Sequence, residues 1–445
     1  MSNKKLLVLA APVGTRSGYG GRSRDLATSL INSGKYDVKI IPTPWGQTPN
    51  DALDVNIPEH KAIVDRLTQQ VNKKPDIFMQ HTIPSEFQAI GAVNIGITAG
   101  IETTICKSDW IHGCNRMDLV LVSSEHAANV FKNTAFDVKD KTDPNAPPRI
   151  LKLEKPVEVL FEGIDLDVYK KVNTLLLDEN DGINLDFIRE QFCFLFVGHW
   201  LQGSLGQDRK DVGMLVKTFC DTFKTKPPSK RPALILKTSG AGFSMTDRQD
   251  IINKLQSIFT QYGDGTRPNV YLIHGDLSDT QMNSLYNHPK VKTMVSFTKG
   301  EGFGRPLLEF TLSGKPVIVS NWSGQTDFLT KESSILLDGE LTNVHESAAN
   351  DWVMKESQWF TVDYSNAALK MYQVFNDYDV HLTKSKQYVS TVKSKFKIQD
   401  MGDMLIDYIE NIESFRPKSG LPELKKLEIP QIHGARLPKL KKIQR

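Results

Sequence analysis

A chain of 445 residues holds more than one folded unit at about 100 to 200 residues per domain, and it can bury a substantial core. Hydrophobic residues at 39% and charged residues at 24%, with 30 Gly and 22 Pro, exclude collagen, coiled coil and chain-wide disorder. Lys and Arg number 55 against 52 Asp and Glu, a formal charge of +3; that is too small to make the whole molecule a polyelectrolyte ligand of nucleic acid or anionic lipid, so any such role is local.

The apolar run at residues 6–11 stops at Pro12 and Gly14, short of the hydrophobic stretch of a secretion signal, and predicts a first strand. A glycine-rich loop follows at residues 13–21, then a helix from near Arg22 to residue 33 and strands at 37–41, 77–80 and 119–122. Residues 139–156 carry four prolines, and the polar stretch 178–186 suits an exposed crossing. A second series runs through a strand at 193–198, a helix at 211–225 and strands at 233–238, 270–274, 292–297 and 316–320. This alternation predicts an α/β protein with two doubly wound, Rossmann-like parallel sheets. The expected division is 1–170, a linker at 171–190, a second domain at 191–395, a helical segment at 396–415 and a tail at 416–445. The tail carries nine Lys and Arg against two Glu, with four prolines that argue against a continuous helix. It reads either as a solvated end or strap, or as a contact for polyanions such as DNA.

The four cysteines, Cys106, Cys114, Cys193 and Cys220, show neither a C-x-x-C pair nor a zinc spacing, which fits a reducing compartment and a cytoplasmic location. No apolar stretch approaches the ~20 residues needed to span a bilayer, so no integral membrane segment is expected. Asp165-Leu-Asp167 has the form of a metal-holding D-x-D but reads as a turn, and no metal is assigned. Asn321-Trp-Ser323 has only the form of a glycosylation sequon.

The most informative stretch starts where a buried strand ends at Phe297 and continues Thr-Lys-Gly-Glu301-Gly302-Phe303-Gly304-Arg305-Pro306-Leu-Leu-Glu309 to Gly314. Pro306 suits a first helical position and Gly314 a left-handed cap. Gly302 and Gly304 let the main chain approach a ligand, and the amides that open the helix favour an anion such as a diphosphate. Glu301 and Glu309 on either side fit acceptors for vicinal hydroxyls, one set on a sugar and one on a ribose. The bland alternative is a glycine turn with a surface Glu and a helix-start Glu.

The run from Glu301 to Glu309 resembles the E-x7-E signature of retaining glycosyltransferases of the GT-B fold, family 4 in particular. Phe194-Leu-Phe-Val-Gly198, Arg209-Lys210, Glu162-Gly-Ile-Asp165 and the segment from Ser320 to Asp327 agree with it, so the likeness covers roughly residues 118–330. It implies two Rossmann-like domains facing across a cleft, the second holding a nucleotide-diphosphate sugar and the first supplying most of the acceptor surface. It also implies a late helix, near 400–414, crossing back to the first domain. By the resemblance, Glu309 would hold the ribose hydroxyls. Glu301 and the amides of Gly302, Phe303 and Gly304 would hold the transferred sugar, and Lys210 would neutralise the leaving diphosphate. Neither metal nor further cofactor would be required. The family often has Arg after the F-x-G where this chain has His199; Arg209 or Lys237 could supply the second phosphate cation instead.

Other candidates come from position. Gly18 and Gly20 lie in the first-domain loop, which either touches the donor phosphate or the acceptor or is a plain turn. His81 and Glu102 lie just past predicted strands, where open sheets place ligands; each faces the sugar or is a satisfied structural group. The expected activity is transfer of a hexose or pentose to a hydroxyl of a glycan, a small molecule or a nucleic acid. Its rivals are a viral enzyme that glycosylates hydroxymethylated DNA bases in the host cytoplasm, a sugar-nucleotide epimerase or phosphorylase, and a non-catalytic nucleic-acid-binding module.

Overall fold

The computed structural model describes residues 4–138, 149–174, 177, 182–240, 242–263 and 265–415. The basic tail lies outside the described residues, as do 139–148 and 178–181 of the two predicted polar stretches.

The first lobe is built on β1 (Leu6–Ala11), β2 (Asp37–Pro42), β3 (Ile77–His81), β4 (Val93–Thr98), β5 (Leu119–Val122), the antiparallel pair β6 (Ala135–Val138) and β7 (Arg149–Lys152), and β8 (Val157–Val159). Six of these form a parallel sheet in the order β2-β1-β3-β4-β5-β8. Both faces are covered, so β1 reads as an unbroken apolar run: Leu7 and Leu9 pack with Leu26 and Leu30 of α1 (Gly18–Asn32), while Val8 meets Phe78 on the other face. The lobe also carries α2 (Pro58–Val64), α3 (Ser108–Cys114) and α4 (Glu125–Asn133).

The second lobe repeats the scheme with β9 (Cys193–His199), β10 (Ala233–Ser239), β11 (Val270–Ile273), β12 (Val291–Ser296), β13 (Val317–Ser320) and β14 (Ile335–Leu337), parallel in the order β11-β10-β9-β12-β13-β14. Phe194 and Phe196 face α5 (Val212–Phe223), α6 (Met245–Phe259) and α9 (Tyr364–Asn376); Cys193 and Leu195 face α7 (Asp279–Asn287), α8 (Arg305–Thr311) and α10 (Tyr378–Lys395). All four cysteines are free and buried. The hairpin of β15 (Gly339–Asn343) and β16 (Gln358–Val362) follows β14.

The chain crosses between lobes twice, and the crossings bond to each other: Ile164 N–H donates to Phe396 O at 2.8 Å, and Ile398 N–H to Ile164 O at 3.0 Å. After the return, Met401, Leu405, Ile406 and Ile409 of α11 (Ile398–Glu410), followed by α12 (Ile412–Phe415), join the core of the first lobe. Within the predicted crossing at 171–190, Leu185 and Ile188 are buried in the second lobe's core. Each sheet reverses its strand order beside its central strand, at β1/β3 and at β9/β12. Ligands of open α/β sheets bind past the carboxyl ends of the strands at such a reversal.

Candidate active site

Glu301 sits five residues past the end of β12, at the reversal of the second sheet. Its amide donates to Ser323 Oγ at 2.9 Å, and its carbonyl accepts from Gly324 N–H at 3.0 Å. Ser323 holds φ at 73°, and Asp211, which precedes α5, holds φ at 52°; among the described residues these are the non-glycine residues with left-handed φ. Such strain persists only where surrounding bonds over-determine it. Asp211 is tied to Lys299 at 3.3 Å and to the Tyr364 hydroxyl at 2.6 Å, and Ser323 donates to Gln325 Oε1 at 3.0 Å. Both strained residues therefore brace the loop that presents Glu301.

The Glu301 carboxylate is nearly buried and meets two cations: the Lys210 ammonium hydrogen-bonds Oε1, and Arg209 Nη1 lies 3.5 Å from Oε2. Burial alone would raise the carboxyl's pKa, but Lys210 and Arg209 reverse that and hold it below the usual carboxylate range. Burial pushes the Lys210 ammonium down against the pull of Glu301. Arg209 also donates to Gly300 O at 2.8 Å and reaches Glu102 of the first lobe at 3.3 Å.

Glu309 lies in α8. Gly304 precedes that helix at φ 95°, which only glycine takes without strain, and Pro306 stands in the first turn. Glu309 Oε1 accepts from Arg305 Nε at 3.0 Å and Oε2 from the Tyr286 hydroxyl at 3.1 Å. Burial raises its pKa to about 7, with Arg305 opposing the rise. The far edge of Arg305 crosses to the first lobe, where Nη1 meets Asp25 Oδ2 at 2.5 Å.

The lobes touch closely here. A Cβ on Gly302 would fall 2.7 Å from Ala99 O, and one on Gly300 2.3 Å from Glu102 O, so these positions admit no side chain. The β15–β16 hairpin clamps the same edge: Thr104 N–H donates to Gln358 O at 2.9 Å, Gln358 N–H to Thr104 Oγ1 at 3.0 Å, and Phe360 N–H to Lys299 O at 3.0 Å.

On the first-lobe wall, His81 ends β3 and is fully buried. The Ser23 hydroxyl donates to Tyr19 O at 2.7 Å, so at 2.8 Å its oxygen accepts from His81 Nδ1–H. Nε2 is thereby left as a bare acceptor, buried with no partner among the described residues. Burial and the nearby Arg22 push the imidazole pKa well below its usual value, so the ring is neutral. Tyr19 covers it at 4.7 Å between centroids and stacks on Trp45 at 3.7 Å.

No protein-family model and no curated protein matches the sequence. Solved structures do match in three dimensions. Sucrose-phosphate synthase from Thermosynechococcus elongatus superposes with a TM-score of 0.61 at 12% identity, over 92% of this chain and 100% of that one. HepE of Anabaena, solved with UDP-glucose, gives 0.57 at 13% over 92% and 100%. A glycosyltransferase from Rickettsia africae gives 0.58 at 13% over 92% and 99%.

The fold is GT-B.

Within this GT-B frame, Glu301, Lys210, Arg209 and Glu102 form one cluster across the cleft, and Glu309 lies eight residues on in the same helix-loop unit. None of the other residues singled out from sequence takes part in the ion pairs of this cluster. His199, at the end of β9, is exposed at the rim with Nδ1 3.3 Å from Ser239 Oγ; its partial enclosure, with Lys210 and Arg209 near, pushes its pKa down. Lys237 turns aside, donating to Gly275 O at 2.7 Å. Phe303 is buried against Phe328 and Phe396 and anchors the loop from below. Helix α1 begins at Gly18 rather than near Arg22, because Ser17 caps it by accepting from Gly20 N–H at 3.0 Å. Gly20 is therefore helical, and a Cβ there would meet Thr15 O at 2.1 Å, a packing requirement. Gly18 is exposed with open space around its Cα. Asp165 accepts from Asp167 N–H at 2.8 Å, an Asx turn. Among the described residues, no group of His, Cys, Asp and Glu is arranged to hold a metal ion, and no helix is long and apolar enough to cross a membrane.

Sequence reading missed Arg305, Asp25, Tyr286, Ser323 and Tyr19. Arg305 was visible inside the motif, since a cation four residues before Glu309 on one helix is a candidate partner at i, i+4. The others gave no local signal.

Proposed function

We propose that the chain is a retaining glycosyltransferase that moves a sugar from a nucleoside-diphosphate donor to an acceptor hydroxyl without a metal. One observation carries this reading: Glu301 and Glu309 stand together at the strand reversal of a GT-B cleft, with Lys210 and Arg209 packed against the first of them. Glu309 accepts the ribose hydroxyls. Glu301 and the amides of residues 302–304 hold the sugar. Lys210 and Arg209 stabilise the negative charge that develops on the diphosphate as its bond to the sugar breaks, an electrostatic task for which a fixed, partly buried cation pair is suited. In the ligand-free arrangement these cations neutralise Glu301, so donor binding exchanges a carboxylate for a diphosphate. The bare Nε2 of His81 accepts a hydroxyl of the sugar or acceptor once Tyr19 moves off it. Glu102 positions Arg209. Closure excludes water and limits donor hydrolysis.

A thermal-shift screen over nucleoside diphosphates and their sugars tests the reading, because a ligand bound only by the native state raises Tm. The expected result is stabilisation by one nucleoside diphosphate and its sugar, clearly diminished in Glu309→Gln. Absence of stabilisation by every member, or its persistence undiminished in that variant, rejects the reading. Transfer of labelled sugar to an acceptor, against product formed with donor alone or with phosphate, separates a transferase from an epimerase or a phosphorylase.

The nine basic residues at 416–445 support a polyanionic acceptor or docking partner. Removing the segment should abolish a salt-sensitive association with duplex DNA, read as the slope of log affinity on log salt, while leaving donor hydrolysis intact. Unchanged DNA affinity after deletion would sink that assignment, and tail-dependent DNA binding by a full chain that turns over no donor would favour a non-catalytic nucleic-acid-binding module.

A further inference from the structure

Each motif carboxylate is bridged by one arginine to a carboxylate of the opposite lobe. Arg209 is shared between Glu301 and Glu102, and Arg305 between Glu309 and Asp25. The two bridges differ in what a donor would do to them. Under the reading above, on which this inference rests, Arg209 and Lys210 turn to the diphosphate, so their bridge loosens as the donor arrives. Arg209 reaches both of its carboxylates with Nη1 alone, whereas Arg305 gives each lobe a nitrogen of its own, Nε to Glu309 at 3.0 Å and Nη1 to Asp25 at 2.5 Å.

We propose that Arg305 is a positioning residue that couples occupancy of the Glu309 site to closure of the two lobes, by holding Glu309 and Asp25 with opposite edges of one guanidinium. The group is planar and always charged, so rotating it to follow Glu309 displaces the nitrogen that faces Asp25. Asp25 and Arg305 are mostly enclosed, with side-chain exposures of 16% and 19%, where ion pairs are screened less than at the surface. The inter-lobe pair of Arg16 with Asp276 is far more open, at 36% and 42%, and contributes little by comparison. Asp25 belongs to α1, whose N-terminal turn carries Gly18 to Gly21, and a Cβ on Gly21 would lie 3.9 Å from Arg305 Nη1. A ribose that fixes Glu309 therefore fixes Arg305, and through Asp25 seats the glycine-rich turn of the opposite lobe over the cleft. Lysine in place of Arg305 would have a single ammonium and could not hold both carboxylates in register.

The test is a double-mutant cycle of Asp25→Asn and Arg305→Ala, with Arg305→Lys and Asp25→Glu as further arms. Circular dichroism and Tm confirm folding. Small-angle X-ray scattering gives the radius of gyration without ligand and with UDP, GDP and ADP, and calorimetry gives Kd for whichever diphosphate the unsubstituted protein binds. Asp25→Asn, which leaves Glu309 and Arg305 in place, is expected to enlarge the radius of gyration and to weaken that Kd roughly tenfold. The double variant should match Arg305→Ala alone, and Arg305→Lys should not restore compaction. Where a donor sugar is turned over, the ratio of hydrolysis to transfer should rise in both single variants. A folded Asp25→Asn with unchanged radius and Kd overturns the proposal, as do effects that multiply in the double variant. Should Asp25→Asn not fold, Asp25→Glu is judged by the same criteria. If no diphosphate binds the unsubstituted protein, the donor reading fails, and the latch is then decided by the ligand-free radii alone.

Discussion

Lys210→Ala should lower kcat by about 10²- to 10³-fold at saturating donor, the cost of removing one pre-organised charge from a developing anion. Lys210 is the nearest cation to Glu301 and its side chain is only 13% exposed, so solvent cannot take over its task. Truncation also leaves Glu301 with Arg209 as its remaining cation, and loss of one member of an enclosed ion pair destabilises the fold. Activity must therefore be compared at a temperature where Tm shows the variant to be folded. Nucleotide affinity should fall less than kcat, because ground-state contacts at Glu309 survive. A kcat within a few-fold of the unsubstituted value would show that Lys210 does not serve the leaving group.

The second large effect is on pH. The Glu309 carboxyl, raised from 4.5 to about 7 by burial, binds its proton more tightly in the folded chain than in the unfolded one. Between about pH 4.5 and pH 7 this group thus holds more proton in the folded state. The partly buried His126 and His288, both lowered to about 4, contribute with the opposite sign, while the contribution of Glu309 itself to stability falls by roughly 3 kcal/mol as pH rises through that window. Donor binding runs the other way. Only the carboxylate offers both oxygens to the ribose hydroxyls, so Kd should improve as pH rises from 6 to 8 and then level off. Glu309→Gln should remove that contribution, read as a stability difference between the two proteins that changes across the window. It should also flatten the pH dependence of Kd and weaken nucleotide binding by about tenfold or more at pH 8, the worth of a charge-assisted hydrogen bond. Chemical denaturation and calorimetry at stepped pH measure the two trends. If the stability difference between the two proteins and the Kd of the unsubstituted protein both stay flat across that range, Glu309 is not the titrating ribose ligand.

Local chemistry made part of this site legible. The end of β12, the glycine turn, Pro306 in the first turn of α8 and the left-handed Gly314 at φ 73° all follow from residues a few positions apart, and so does the doubly wound pattern of each sheet. What the sequence does not display is contact between distant segments. Asp25 and Arg305 lie 280 positions apart, and Thr104 meets Gln358 at a separation of 254. The β15–β16 hairpin has a mixed, largely exposed β15, and its register is fixed by packing rather than by alternation. Helix α1 starts early because a Ser17 cap overrides the reluctance of glycine to enter a helix. His81 reads as a lone histidine in sequence. Its bare Nε2 emerges only once Ser23 is seen to spend its proton on Tyr19.

The return of α11 to the first lobe decides how the molecule can be divided. Met401, Leu405, Ile406 and Ile409 lie against the same core as Leu26 and Leu30, and a Cβ on Gly402 would come within 2.8 Å of Ser29 Oγ. An isolated fragment ending near residue 160 would show water the greasy flank that this helix hides, and would tend to precipitate. Half-molecule expression and fragment complementation must therefore carry the 398–415 segment together with the amino-terminal part, even though more than two hundred residues of sequence intervene.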